Sequence, residues 1–441
     1  MINRVGERNI PTSYRTDIPL RLDVYGLFVF LVPLTVFMEV NVVGRLFMPD
    51  ILLAIAFPFV FLTRGRKLAE PLPRLFLLLA GLWLFGQVAT DVYRESSFND
   101  YARGWAKITL TIINFSALYL LVDGKPKRLI LFIAGMALGS LIKYFLSPSE
   151  YAVLYPWKFG YGGSITWLVV LLSVALAGKG RTGRFISLML ILGASGLNIY
   201  MGFRSLGGIL FVVALYMMSQ VLGRRQNARD NRNWQRRGLV VALVSGFALW
   251  SAIELYSSAA ESGLLGWEAQ QHYEGQSSGA YGLILGGRSE AFGSIPAIMD
   301  SPVLGHGSWA QNCAYAYLRW ETAESFGYSS IGSDDSCLIP AHSHLLGAWV
   351  EAGILGVPFW LWVMFLTGRT LLYTFDNRSK FVPLILFIGF ILIWDILFSP
   401  FGAAGRFVTP LFIIAMAVFL KPYQAESKPI RNPASFFTRR L

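Results

Sequence analysis

Apolar segments long enough for an α-helix to cross a bilayer recur along almost the whole chain of 441 residues. A hydrocarbon core about 30 Å thick takes about 20 mainly apolar residues per helix. In lipid the backbone polar groups must be satisfied within the segment, so such segments fold as helices. The candidate spans, bounded by charged residues, are 24–40, 46–63, 72–90, 105–122, 129–147, 163–178, 185–201, 207–222, 238–255, 345–368, 381–398 and 404–420. The sequence therefore predicts an all-α polytopic membrane protein with about 12 transmembrane helices.

The composition excludes most other classes of protein. Hydrophobic residues make up 54% of the chain and charged residues only 15%, against about 25% charged residues in a soluble domain. So apolar a chain is neither a soluble enzyme nor a disordered segment. Two cysteines are too few for a disulfide scaffold.

Positive charge is concentrated in alternate connections between the spans. If the N-terminus is cytoplasmic, 28 of the 38 lysine and arginine residues lie on the cytoplasmic side, which nets +20 against −8 on the other side. This split follows the positive-inside rule, so we expect both termini in the cytoplasm. We interpret the basic clusters as topology anchors beside anionic lipid. No surface combines basic and aromatic residues in the way that nucleic-acid binding requires.

The sequence divides into four sections. Spans one to nine and the cytoplasmic N-terminus occupy 1–255, a long outward loop occupies 256–343, spans ten to twelve occupy 344–420, and a basic cytoplasmic tail occupies 421–441. The loop is far longer than an ordinary connection and is expected to carry the function. We expect short helices in it, packed over a lateral cavity for a polyprenyl chain. Aromatic residues of the loop could bind sugar rings or pack it onto the membrane surface, namely Trp309, Tyr315, Tyr317, Trp320 and Tyr328.

All the histidines and cysteines lie in this loop or at its end, namely His272, His306, His342, His344, Cys313 and Cys337. In an oxidising compartment Cys313 and Cys337 could form a disulfide. The alternative is two unpaired thiols, since the distance between them is not encoded in the spacing.

His342 is placed where a helix enters the bilayer from the outside. A neutral imidazole there can take a proton from an acceptor hydroxyl. His342 and His344 are separated by two positions and do not share a helix face, which argues against a paired zinc site. No metal site is expected.

Two arginines on the outward side are candidate anion ligands. Arg204 lies in the tight turn between the seventh and eighth spans, and Arg288 lies in the long loop. A guanidinium stays charged in apolar surroundings and presents a fork that matches a phosphate. The alternative is that each pairs with a resident carboxylate, such as Glu290 or Glu351, or with lipid phosphate.

These residues fall into a pattern that resembles a known family. His342 and Ser343, nine intervening residues and then Gly353 and Gly356 resemble the His-[Asn/Ser/Gln]-x9-Gly-x-x-Gly signature of the O-antigen ligase and polysaccharide polymerase superfamily. The Arg-Ser turn at 204 and the Gly-Arg-Ser segment at 288, followed by Pro-x-x-Gly-x-Gly at 302–307, resemble two further marks of that family.

The resemblance implies glycan transfer from an undecaprenyl diphosphate carrier at the periplasmic side of the bacterial inner membrane, without a metal or another cofactor. It implies that Arg204 and Arg288 hold the diphosphate and that His342 activates the acceptor hydroxyl, with inversion at the anomeric carbon. The candidate helper residues are Ser343, His344, Glu290 and His306. The implied partners are the lipid-linked glycan donor, a glycan or lipid A core acceptor, the bilayer and a chain-length regulator protein.

Three activities remain open at this stage. The net charge of −8 outside offers no obvious docking surface for an anionic lipid A core, which favours an O-antigen or exopolysaccharide polymerase over an O-antigen ligase. A transporter or flippase for lipid-linked glycans would place ionisable groups near the bilayer midplane. The membrane-proximal acids instead fall towards outer helix ends, namely Glu39, Asp50, Asp91 and Asp395.

Overall fold

The computed structural model describes residues 23–222, 290–325, 337–374 and 379–426. Within these ranges the regular secondary structure is helical, except for an antiparallel hairpin of β1 (Glu39–Asn41) and β2 (Arg45–Phe47) and an isolated bridge between Gln311 and Leu338. The helices, in chain order, are α1 Val24–Leu34, α2 Met48–Arg64, α3 Pro71–Arg94, α4 Phe98–Val122, α5 Pro126–Leu146, α6 Glu150–Leu154, α7 Gly162–Ala177, α8 Gly180–Tyr200, α9 Arg204–Leu222, α10 Ala291–Asp300, α11 Cys313–Ser325, α12 His344–Ala352, α13 Val357–Thr374, α14 Val382–Phe398 and α15 Gly405–Glu426.

Seven helical segments of the described ranges are long and apolar enough to cross a membrane, namely Met48–Ala69, Pro71–Arg94, Phe98–Val122, Pro126–Leu146, Pro156–Ala177, Gly180–Tyr200 and His344–Thr374. Four shorter apolar helices accompany them, namely Val24–Phe37, Arg204–Gln220, Val382–Phe398 and Gly405–Leu420. The all-α, polytopic prediction is confirmed, whereas the count of about 12 spans is not. The expected ninth span, 238–255, lies outside the described residues.

The tenth expected span, 345–368, is interrupted. A 3₁₀ turn, Gly353–Gly356, separates α12 from α13, and Gly353 has a left-handed φ of 62°. A Cβ on Gly353 would lie 2.0 Å from the carbonyl oxygen of Val303, and one on Gly356 would lie 2.5 Å from that of Ala348. Only glycine allows the backbones to approach this closely, so the break is a packing feature that an apolar run does not reveal.

The bundle has two polar ends. At one, which we call the basic end, Arg64 and Lys67 pair with Asp123. At the other, which we call the histidine end, His342 precedes α12 and the Ser343 hydroxyl donates a 2.7 Å hydrogen bond to the Ile396 carbonyl near the end of α14.

A buried polar cluster joins three helices close to the histidine end. The Asp50 carboxylate on α2 is fully buried and lies 2.7 Å from Nη2 of Arg406 on α15. Asn114 on α4 donates a 2.8 Å hydrogen bond to the same carboxylate. We call Asp50, Asn114 and Arg406 the buried cluster. It connects helices whose other contacts are largely apolar, and an unpaired charge there would be costly.

Candidate functional site

His342 is held at the helix boundary by its neighbour. The Ser343 hydroxyl accepts a 3.0 Å hydrogen bond from the backbone N–H of Leu346, so Ser343 is the N-cap of α12. The same hydroxyl bonds to α14, and Ser343 is buried. This anchoring leaves His342 in the preceding extended segment, with half of its side chain exposed.

The imidazole of His342 contacts a carboxylate. Its Nδ1 lies 2.9 Å from Oε1 of Glu290, whose side chain is only 13% exposed. Nη2 of Arg319, on α11, lies 3.5 Å from the same oxygen. We call Glu290, Arg319 and His342 the rim cluster. It unites one residue before α10, one on α11 and one before α12.

The electrostatics of the rim cluster keep Glu290 ionised. Burial raises the pKa of this carboxyl, but the hydrogen bond from His342 and the charges of His342 and Arg319 outweigh burial, so the pKa is lowered from 4.5. The other oxygen, Oε2, is buried without a hydrogen-bond partner among the described residues. A buried acceptor of this kind is unusual and leaves Glu290 with unused hydrogen-bonding capacity.

Two candidate helper histidines have packing roles. His344 is 5% exposed, its Nδ1 lies 2.7 Å from the carbonyl oxygen of Ser399, and its ring packs against Trp360 and Phe401. Nε2 of His306 lies 2.6 Å from the carbonyl oxygen of Ala297. Burial separates His344 from anything that approaches from solvent, whereas His306 is partly exposed.

Backbone hydrogen bonds join the segment 302–307 to the end of α12 and the turn Gly353–Gly356. The N–H groups of His306 and Gly307 donate to the carbonyls of Val350 and Glu351, at 2.7 and 3.1 Å, and Ile354 donates to Val303 at 3.1 Å. The Pro-x-x-Gly-x-Gly segment at 302–307 therefore packs directly on the turn Gly353–Gly356. This contact fixes the end of α10 against the end of α12.

Asp91 and Arg94 on α3 hold this segment in place, and neither was predicted from the sequence as a site residue. The buried Asp91 carboxylate accepts hydrogen bonds of 2.6 Å from both the N–H and the hydroxyl of Ser308, and one of 2.8 Å from the Trp105 indole. Arg94 donates to the Gly305 carbonyl at 2.9 Å. Asp91 and Ser308, like Arg94 and Gly305, are more than 200 residues apart in the chain, so no local sequence pattern indicates these contacts.

Lys107 on α4 pairs with Glu351. Glu351 was a candidate partner of one of the outward arginines, but in the structure it pairs with this lysine.

A disulfide closes the described part of the loop. Cys313 and Cys337 are bonded, with their Cα atoms 4.4 Å apart. Beside the bond, the N–H of Asn312 donates to the Cys337 carbonyl at 2.7 Å, and that of Ile339 to the Ala310 carbonyl at 3.0 Å. Of the two alternatives left open by the sequence, the structure has the disulfide. It ties the start of α11 to the segment that carries His342.

Arg204 is the first residue of α9. Near the other end of α9, Gln220 donates a 3.0 Å hydrogen bond to the carbonyl of Thr374, the last residue of α13. Since α13 starts beside the turn that packs against 302–307, Arg204 lies at the histidine end. Arg288, together with His272 and Tyr328, lies outside the described residues.

Among the side chains of the described ranges, no group of three or more His, Cys, Asp and Glu residues could hold a metal ion. Searches against protein-family models, curated proteins and solved structures found no match for the chain. The site therefore consists of a half-exposed imidazole that is held by a carboxylate. It lies on a segment tied by a disulfide, at one end of a helical bundle with several helices long and apolar enough to span a membrane.

Proposed function

We propose that this protein is a membrane-embedded glycosyltransferase that moves a glycan from an undecaprenyl diphosphate carrier to an acceptor hydroxyl at the histidine end. The observation that carries the proposal is the 2.9 Å contact between Nδ1 of His342 and Oε1 of Glu290, with half of the imidazole side chain exposed. A base held by a carboxylate and open on its other side is the arrangement that hydroxyl activation needs.

Glu290 and His342 of the rim cluster have different roles in the proposed reaction. Glu290 accepts a hydrogen bond from the Nδ1–H group of His342, which fixes the tautomer and leaves Nε2 with the lone pair. As the acceptor oxygen bonds to the anomeric carbon, the bond from that carbon to the diphosphate oxygen breaks. The hydroxyl proton moves to Nε2, and the Glu290 carboxylate stabilises the imidazolium that forms. Inversion at the anomeric carbon follows from a single displacement.

The leaving diphosphate needs fixed cations, because negative charge develops on it as the bond breaks. Arg204, at the histidine end, and Arg288, two residues before Glu290 in the chain, are proposed to supply them. The support for Arg204 is its position at the first residue of α9, and that for Arg288 is its motif.

The proposed orientation places the histidine end in the periplasm of a bacterial inner membrane and both termini in the cytoplasm. Two observations support it. The disulfide Cys313–Cys337 lies at the histidine end, which suits an oxidising compartment. Arg64, Lys67 and Lys125 lie at the basic end, as positively charged cytoplasmic connections do.

The reaction is tested with purified protein in nanodiscs and a labelled lipid-linked glycan, without ATP or a divalent cation. Product is expected from the wild-type protein and none from His342→Ala. A matched control is Lys179→Ala, which removes an exposed titratable side chain at the basic end and should keep wild-type activity. Equal product from His342→Ala and wild type would contradict the assignment, and so would the absence of product from the wild-type protein.

The identity of the acceptor distinguishes a polymerase from a ligase, and we favour the polymerase. A strain that lacks the protein is expected to display single-repeat glycans on its surface. If the strain instead accumulates full-length polymer on the carrier lipid, the protein is a ligase that uses lipid A core as the acceptor.

A further inference from the structure

A polar cavity of about 340 Å³ lies at the histidine end and is not used by the proposed chemistry. Its wall combines His306 and residues 308–312 with Ile339 and with residues at the junction of α3 and α4, namely Arg94, Ser96 and Asp100. The volume lies at the lower end of the range for small-molecule sites. It is suited to a short portion of a chain-like ligand.

The most informative wall residue is Trp309. Its φ is 51°, a left-handed conformation that is a genuine outlier for a bulky side chain. The preceding residue, Ser308, is held by two hydrogen bonds to the buried Asp91 carboxylate, so the surrounding structure imposes the conformation. Strain that is imposed in this way concentrates at ligand sites.

The imposed conformation leaves the indole available to a ligand. The Trp309 side chain is 41% exposed, and the Arg103 guanidinium lies 5.6 Å from the ring centroid. A large, flat and amphipathic ring at the wall of a polar cavity can stack on the apolar face of a sugar ring.

The polar groups of the wall match hydroxyl groups. The Asn312 carbonyl oxygen accepts a 3.0 Å hydrogen bond from the N–H of Ala314, while its amide N–H groups and the whole Gln311 amide make no side-chain hydrogen bond to the described residues. An amide group both donates and accepts, as a hydroxyl does. Neighbouring amides therefore suit the vicinal hydroxyls of a sugar.

The Arg94 and Asp100 charges of the wall offset each other, which suits a neutral ligand. Arg94 is engaged with the Gly305 carbonyl and with the Ser301 hydroxyl, at 2.9 and 2.8 Å. Asp100 contributes a carboxylate to the same wall. Because these two charges offset each other and Arg94 is already hydrogen-bonded, the wall has no dedicated phosphate ligand and suits a neutral sugar.

The cavity is close enough to His342 to serve the same substrate. Ile339 lines it and precedes His342 by three residues, so their Cα atoms are at most about 11 Å apart. We propose that this cavity is a subsite for neutral sugar rings of the glycan. The reaction that the subsite serves rests on the proposed function, but the binding of sugar does not.

The test is saturation-transfer NMR on the full-length protein in nanodiscs, with the neutral glycan released by mild acid from the surface of the source cells. Transfer to sugar ring protons is expected from the wild-type protein. Trp309→Ala should weaken binding by about fivefold or more, and Trp309→Phe should restore most of it. The matched control is Tyr151→Ala, because Tyr151 is an exposed aromatic residue (67%) that does not line the cavity.

Equal binding by Trp309→Ala and wild type, or no binding of the glycan to the wild type, would overturn the subsite. A change in the unfolding temperature of Trp309→Ala does not obscure the result, because Trp309→Phe keeps the ring at the same backbone position. Binding is also measured on His342→Ala. A His342→Ala protein that binds glycan and still catalyses transfer contradicts the proposed function and leaves the subsite intact.

Discussion

Two clusters near the histidine end combine a carboxylate with a cation, and they differ in exposure. In the buried cluster, the Asp50 carboxylate is 0% exposed and the Arg406 side chain 9% exposed. In the rim cluster, Glu290 is 13% exposed but His342 is 50% exposed. The first joins α2, α4 and α15 inside the bundle. In the rim cluster, the largely buried Glu290 carboxylate holds the titratable His342 ring at the surface.

The comparison indicates which polar group is available for chemistry. A buried ion pair that loses one partner leaves an uncompensated charge, so its members are needed for folding. A half-exposed ring can be removed without leaving a cavity, so its loss should affect the reaction instead. Activity and stability should therefore separate between the two clusters.

The largest expected effect is that of His342→Gln in the rim cluster. The amide can still bond to Glu290 but cannot take a proton, so the transfer rate should fall by about 10²–10⁴-fold. The unfolding temperature should stay close to that of the wild-type protein. The rate is measured by product formation in nanodiscs and the unfolding by a thermal scan. A fall in both the transfer rate and the unfolding temperature would contradict the separation of activity from stability between the two clusters.

The next largest effect is that of Asp50→Ala in the buried cluster. Arg406 would be left as a buried, unpaired charge, which should lower the free energy of unfolding by about 3–5 kcal/mol. The measurement is equilibrium unfolding in mixed micelles. The double variant Asp50→Ala with Arg406→Met is the control, since it removes both charges and should recover part of the loss. A single variant as stable as the wild type would contradict the account.

A smaller effect is expected from Cys313→Ser combined with Cys337→Ser. The bond closes a loop with a sequence separation of 24, and its loss should lower stability by about 2–4 kcal/mol through the unfolded chain. The segment that carries His342 would also become less fixed, so transfer should fall. Thermal unfolding and turnover are compared with those of the wild-type protein under reducing and oxidising conditions. Identical behaviour of the double variant and the oxidised wild type would argue against this structural role.

The smallest effect concerns pH. Interactions with His342 and Arg319 lower the pKa of Glu290 from 4.5, although burial acts in the opposite direction. Its ionised form therefore adds stability that is fully present above pH 4.5 and is lost as the pH falls through the lowered value. Thermal unfolding between neutral and acidic pH should show a steeper acid loss for wild type than for Glu290→Gln. If the unfolding temperatures of wild type and Glu290→Gln fall in parallel with pH, the ionised carboxylate does not add this stability.

Apolar runs bounded by charged residues were enough to locate most of the long helices in the described ranges. The spans expected at 72–90 and 381–398 correspond to α3, Pro71–Arg94, and α14, Val382–Phe398. The expected start of the tenth span also placed His342 directly before a helix. These features are local, because span length and helix boundaries depend on neighbouring residues.

Features that depend on distant contacts were not visible in the sequence. The break at Gly353 exists because Val303 approaches it, and the position of Ser308 depends on Asp91. His344 has the same residue type as His342 but turns into the packing of Trp360. A motif that contains both histidines does not reveal which of them is exposed. Glu290 was one of several candidate helpers until the fold brought it to His342.

The central claim is that His342 provides a base that the fold holds but does not bury, and chemical rescue tests it most directly. Turnover of His342→Ala in nanodiscs is measured with and without added imidazole, beside Asp50→Ala. The account predicts that imidazole restores measurable transfer to His342→Ala and not to Asp50→Ala, whose defect is in folding. Wild-type turnover by His342→Ala in the absence of imidazole would contradict the account.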